Sequence, residues 1–300
     1  MKTNLEYIIE QIRIKNPLHS KRIQKNLKFF NEDYYERADA FLAKYETLLK
    51  NDNKSFDYAI DCYLQMLADV NFESMHFLRT GEYTSKSFKE VNKRVYDNPD
   101  VMEYYMHGLL MSQFLWKQHY DILLWFNKVI EEKGKDVKNY LEVGGGHGLY
   151  ISEALKLIGE QAKYDLVDIS KSSLAIAEKM ISNNVVNPIL TDVFEYFPTI
   201  KYDFITMGEV LEHVEEPVKL LKKLRTLLTE NGKLIITTPT NAPAIDHIFL
   251  FKNAQDIRDV ISEAGFRIEE ELCIFSEDVS PEKAEKFKIS MMYAGVLVKN

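Results

Sequence analysis

Leu141-Glu142-Val143-Gly144-Gly145-Gly146-His147-Gly148 joins a short apolar run, Asn139–Val143, to a segment near Tyr150–Ile158 with helical apolar spacing. Alternate glycines let the chain turn sharply and let a ligand approach the backbone. In an open α/β sheet, ligands bind at the carboxyl ends of the strands, near the switch in strand order. A dinucleotide fingerprint needs glycines at the first, third and sixth places. Counted from Gly144, the sixth place is Leu149, so that fingerprint fails. The failure counts against a nicotinamide-dependent oxidoreductase.

Downstream, short apolar runs alternate with helical patterns. Asn139–Val143, Tyr164–Val167, Pro188–Leu190, Asp203–Met207 and Lys233–Thr237 read as strands. Tyr150–Ile158, Ser172–Ser182 and Val218–Thr229 read as helices between them. This alternation predicts a parallel sheet with helices on both faces. A helix over Ala254–Ala264 stops at Gly265, and strands follow near Phe266–Phe275 and Ile289–Val298.

Upstream, residues 1–135 read as helix nearly throughout, with glycine only at Gly81, Gly108 and Gly134. The stretch from about Asp100 to Ile130 is dense in aromatic and aliphatic residues, as in a helix buried between layers. A boundary is expected near Glu131–Asp136, giving a helical domain over 1–135 and an α/β domain over 136–300. Two domains also suit a chain of 300 residues that is 46% hydrophobic and 12% aromatic.

Cys62 and Cys273 have no metal or disulfide spacing and are expected to be buried thiols. No signal peptide is evident, and no apolar run approaches the ~20 residues of a membrane span. A soluble cytoplasmic protein without membrane contact is the expectation. A net charge of −8 disfavours nucleic acid as a partner. The basic run Arg13, Lys15, Lys21, Arg22, Lys25 and Lys28 reads as a solvated helix face or as a docking patch for an anionic partner.

The order Glu142-x-Gly144-x-Gly146-x-Gly148 resembles the first motif of class I S-adenosylmethionine-dependent methyltransferases. The resemblance extends through Asp168 and Ile169 at the end of the second strand, Asp192-Val193 after the third, Gly208 after the fourth, and Leu227–Leu234 entering the fifth. It covers residues 136–300. It implies a Rossmann-like, seven-stranded methyltransferase sheet behind an all-helical N-terminal domain, with S-adenosylmethionine as cofactor. Gly144, Gly145, Gly146 and Gly148 would approach the methionine moiety, and Glu142 would organise the loop. Asp168 would accept the ribose hydroxyls and Asp192 the adenine amino group.

A second cluster follows the fourth strand. Glu209, Glu212 and His213 stand at i, i+3 and i+4, one face if the segment is helical, and His247 follows the fifth strand. Two carboxylates and imidazoles suit a divalent metal such as Mg. The set resembles two metal-dependent branches, the ubiquinone-pathway O-methyltransferases and the small-RNA terminal 2′-O-methyltransferases. A metal-free pocket with His213 or His247 as general base, and a structural role, stand beside that reading. His107 and His119 read as core histidines, and Tyr104 and Tyr105 as packing or pocket residues.

The combined expectation is methyl transfer to a small or medium organic acceptor, through oxygen and with His213, His247 and Glu212 as catalytic residues. The acceptor would be chosen by the helical half. N- or C-methylation without metal, or a non-catalytic S-adenosylmethionine-binding module, are the alternatives. The N-terminal helices could also pair two chains into a homodimer.

Overall fold

The computed structural model describes residues 3–181 and 184–300. The helical half contains α1 (Asn4–Lys15), α2 (Pro17–Leu27), α3 (Glu32–Asn51), α4 (Phe56–Thr80), α5 (Phe88–Val91), a π turn (Asn92–Tyr96), α6 (Pro99–Leu115) and α7 (Lys117–Lys133). Then come β1 (Asn139–Val143), α8 (Leu149–Ile158), β2 (Lys163–Asp168), α9 (Lys171–Ile181), β3 (Val186–Leu190), β4 (Tyr202–Gly208), α10 (Pro217–Leu227), β5 (Leu228–Thr240), α11 (Ala254–Glu263), β6 (Phe266–Phe275), α12 (Pro281–Phe287) and β7 (Met291–Lys299). The predicted end of α9 at Ser182 lies outside the described residues.

The strands form one seven-stranded sheet in the order β3-β2-β1-β4-β5-β7-β6. The first five are parallel, and β7 runs antiparallel between β5 and β6. The order reverses between β1 and β4, so their carboxyl ends part and leave a crevice there. Buried side chains on β1, β4 and β5 explain their near-continuous apolar runs.

The apolar stretch from Asp100 to Ile130 is two helices. Trp116 between them is extended, and its indole N–H donates to the Tyr63 hydroxyl at 2.7 Å. α6 is buried on most sides, as its predominantly apolar composition requires. α7 turns one face, Ile122, Phe126, Val129 and Ile130, into the core it shares with β1, α8 and β2. α10 ends at Leu227, two residues short of the predicted Thr229, because Leu228 already pairs with Tyr202 of β4.

The helical half covers the carboxyl ends of the strands. The Tyr83 hydroxyl accepts from the Ala242 N–H at 3.0 Å. The Ser85 hydroxyl and the Arg94 guanidinium donate to the Ile245 carbonyl. The Phe88 N–H donates to Glu215 at 2.7 Å. These contacts fix the loops after β4 and β5.

Candidate active site

A cavity of about 1580 Å³ lies between the helical half and the sheet. Its lining includes Glu142, Gly144, Gly145, Gly146, Asp168, Ile169, Asp192, Val193 and Gly208 at one end, and Glu209, His213 and His247 beyond them. Gly148 and Glu212 do not line it.

The glycine loop is set by backbone strain and by lack of space. Gly144 and Gly146 have φ of 67° and 51°, left-handed values that a side chain disfavours. A Cβ on Gly145 would lie 2.2 Å from Leu166 Cδ1 and 2.8 Å from Glu142 Oε1. Gly145→Ala should therefore lower stability by ~1–3 kcal/mol through overpacking. Thermal unfolding checks this, and an unchanged midpoint would refute the stated clash. Gly148 serves packing, since a Cβ there would meet Ala177 of α9 at 2.8 Å.

Asp168 at the tip of β2 accepts from the Gly146 N–H at 3.1 Å and the Ser170 N–H at 2.7 Å. Burial raises its pKa to about 6, partly offset by those backbone donors. Glu142 is buried beneath the loop, and its Oε2 has no partner among the described residues. Burial, then the charge of Asp168, pushes the Glu142 pKa well up. An orphaned carboxyl oxygen beside a side-chain-free loop suits a ligand with a polar amino group. Asp192 caps the short turn Val193–Glu195, accepting from the Phe194 N–H at 2.8 Å.

The segment after β4 is not an α-helix. Glu209 is left-handed at φ 54°, and only Leu211–His213 form a 3₁₀ turn. The three side chains therefore do not share a helical face. Glu209 turns to Thr237, whose hydroxyl donates to it at 2.7 Å, and burial raises its pKa to about 7. Strain in a non-glycine residue at a strand end is characteristic of functional sites.

Glu212, His213 and His247 do converge, with one ligand atom from each lying within 4.8 Å of the others. His213 Nδ1 lies 3.0 Å from the Asp246 carbonyl, and His247 Nδ1 lies 2.5 Å from the Ala242 carbonyl. A carbonyl only accepts, so each Nδ1 carries a hydrogen and each Nε2 is the ring nitrogen turned toward Glu212. Those Nε2 atoms lie 3.5 and 3.9 Å from Glu212 Oε1. That oxygen is fully buried and has no hydrogen-bond partner among the described residues, while Oε2 accepts from Thr238 at 2.8 Å. Burial, then the neighbouring Glu209 charge, raises the Glu212 pKa well above the carboxylate range. Burial, then His213, holds His247 at about 4, so its imidazole is neutral near pH 7.

The sequence reading missed Asp246 and Tyr96. The Tyr96 hydroxyl lies 3.0 Å from His213 Nδ1 and donates to Asp246 Oδ2 at 3.3 Å. Tyr105 donates to Asp246 Oδ1 at 3.2 Å, and Tyr105 lines the cavity. Tyr104 turns away to Asp69. His107 bonds Tyr45 in the helical core, whereas His119 lines the cavity. Cys62 is buried, but Cys273 is exposed because β6 is the sheet's edge strand.

A family model described as a methyltransferase domain matches residues 117–271. Malonyl-[acyl-carrier protein] O-methyltransferase 1 of Ilyobacter polytropus is 35% identical over 101 residues, covering 33% of this chain and 37% of that protein. The mitochondrial ubiquinone biosynthesis O-methyltransferase of Schizosaccharomyces pombe is 34% identical over 110 residues, covering 34% of this chain and 38% of that protein. The chain thus spans less than half the length of these curated relatives. The structure of a mitomycin 7-O-methyltransferase is similar in fold, with a TM-score of 0.55 at 13% identity, over 77% of this chain and 68% of that one.

Proposed function

The chain belongs to the methyltransferase domain family, and on that premise we propose that it transfers the methyl group of S-adenosylmethionine to a hydroxyl oxygen of an organic acceptor held under the helical half. The observation that carries this reading is the convergence of the His213 and His247 Nε2 atoms on the Glu212 oxygen that has no partner among the described residues. His213 and His247 line the cavity that also contains the glycine loop, while Glu212 does not. S-adenosylmethionine supplies an electrophilic methyl on a sulfonium. The glycine loop, Glu142, Asp168 and Asp192 would hold it, and the cavity would align the acceptor in line with that methyl.

Glu212, His213 and His247 would hold a divalent cation. Ligands at ~2.1 Å around a tetrahedral ion lie ~3.4 Å apart, close to the 3.5 and 3.9 Å between the Nε2 atoms and Oε1. Two imidazoles and one carboxylate suit zinc, iron or manganese better than the magnesium expected from sequence. Such an ion supplies Lewis acidity toward an acceptor hydroxyl. The Nδ1–H bonds to backbone carbonyls orient both rings for this role. Glu209 bonds to Thr237 and is not among the three converging ligands.

Methyl-labelled S-adenosylmethionine should transfer label to members of a panel of phenols and hydroxy acids. Chelation should suppress that transfer, and added zinc or manganese should restore it. Label carried only by amine acceptors would refute oxygen as the nucleophile. Full activity after exhaustive chelation would refute the cation.

A further inference from the structure

From Gln11 to Asn31 the chain carries six Lys and Arg residues and no acidic one, within a protein of net charge −8. Arg13 and Lys15 pair with Glu10 and Asp61, and Arg22 reaches Glu277 across the cavity mouth. Lys21, Lys25 and Lys28 are exposed, with no ion-pair partner among the described residues. The helical spacing places Leu18, Arg22, Lys25 and Phe29 along one side of α2 and its end.

The same opening is bordered by the far end of α4 and by α12. Arg22, Lys25, Phe29, Leu78, Phe287 and Lys288 all line the cavity. Of these, Phe29, Leu78 and Phe287 are 54% to 76% exposed, and on the same helices, outside the lining, Leu18 of α2 and Phe72 and Met75 of α4 are 64% to 78% exposed. Phe72, Met75 and Leu78 follow one another at i, i+3 and i+6 along α4. Arg79 and Lys288 add positive charge to the border, and Glu277 and Asp278 oppose it. So many large apolar side chains protruding around one opening mark an interaction surface.

Lysines interleaved with protruding aromatic and aliphatic tips match an anionic bilayer. The cations meet the headgroups and the apolar tips enter the acyl boundary. A second copy of this chain would set its lysines against their equivalents, which like charge opposes. An acidic soluble protein would satisfy the lysines but leave the protruding apolar tips without a role. Among the described residues no helix is long and apolar enough to cross a membrane, which bears on spanning a bilayer and not on lying against one. We propose that this face docks the protein on an anionic lipid surface, with the cavity mouth turned toward the membrane.

Flotation of the full chain with phosphatidylcholine vesicles containing about one third phosphatidylserine tests this. The protein should float with those vesicles, and weakly or not at all with pure phosphatidylcholine. Lys21→Glu with Lys28→Glu should lower vesicle affinity by at least ~20-fold. Leu18→Ser with Phe72→Ser should lower it by at least ~10-fold. Both double variants should keep the wild-type thermal midpoint and affinity for S-adenosylhomocysteine, because none of the four residues lines the cavity. Absence of flotation at low salt would overturn the proposal, as would unchanged flotation of the charge variant. Binding that needs the lysines alone, and that soluble polyglutamate displaces, would identify an acidic protein partner instead. A wild-type dimer dissolved by the Leu18→Ser and Phe72→Ser pair would identify an interface between copies instead.

Discussion

Asp168→Ala should weaken S-adenosylmethionine binding about a hundredfold or more, because two hydroxyl hydrogen bonds to a carboxylate are worth ~1.5–3 kcal/mol each. The change also frees the Gly146 N–H, which now donates to Asp168 at 3.1 Å. The loop thus loses an anchor as the ligand loses an acceptor. The pH dependence separates this role from simple packing. The Asp168 pKa is raised to about 6 by burial, so the carboxyl is half protonated near that pH. Hydroxyl donors favour the ionised form, so affinity should be full above pH 6 and fall toward tenfold per pH unit below it. Asp168→Asn cannot ionise and should bind weakly with that dependence lost. Isothermal titration with S-adenosylmethionine from pH 5 to pH 8 measures both effects. Equal affinity of wild type and variant would exclude Asp168 from the ribose site.

The features legible in sequence are those that neighbouring residues determine. The glycine loop announces its turn because Gly144 and Gly146 adopt left-handed angles. The change from helical to alternating rhythm near Gly134 locates the sheet because burial on both faces requires apolar strands. The strand ends place Asp168, Asp192 and Gly208 on one cavity because parallel strands all finish on the same side. Other features depend on distant partners. Tyr96 and Asp246 stand 150 positions apart and meet only because the helical half closes over the loop after β5. The break at Trp116 falls in a stretch dense in aromatic and aliphatic residues, where no glycine or proline between Leu109 and Lys133 supplies a stop signal. Helical spacing at Glu209–His213 misled because a left-handed residue ends β4 there. The cluster survives without Glu209 because His247 arrives from the loop after the neighbouring strand β5.

Glu212→Gln should separate stability from function. The wild-type carboxyl is fully buried, its Oε1 has no partner among the described residues, and Glu209 lies close enough to raise its pKa further. A buried polar atom left unsatisfied costs ~1–3 kcal/mol, and ionising that carboxyl without a cation would cost more. The amide keeps an acceptor for the Thr238 hydroxyl and offers N–H donors toward the lone pairs of His213 and His247. In metal-free buffer the variant should therefore be as stable as wild type or more so, with the difference growing as pH rises above the ordinary carboxylate value of 4.5. The sign follows from linkage: a carboxyl whose folded pKa is raised costs the fold stability as pH climbs from its ordinary value toward the raised one, because over that range the unfolded chain gives up its proton first. Zinc should reverse the order. Wild type should gain thermal stability on titration because the ion binds the folded state and completes the unpaired oxygen. The variant lacks a charged oxygen ligand, so its zinc affinity should fall about a hundredfold, and methyl transfer should fall with it. Two sets of melts, with chelator and with zinc, decide the matter. If wild type and variant shift equally with zinc, Glu212 is no ligand.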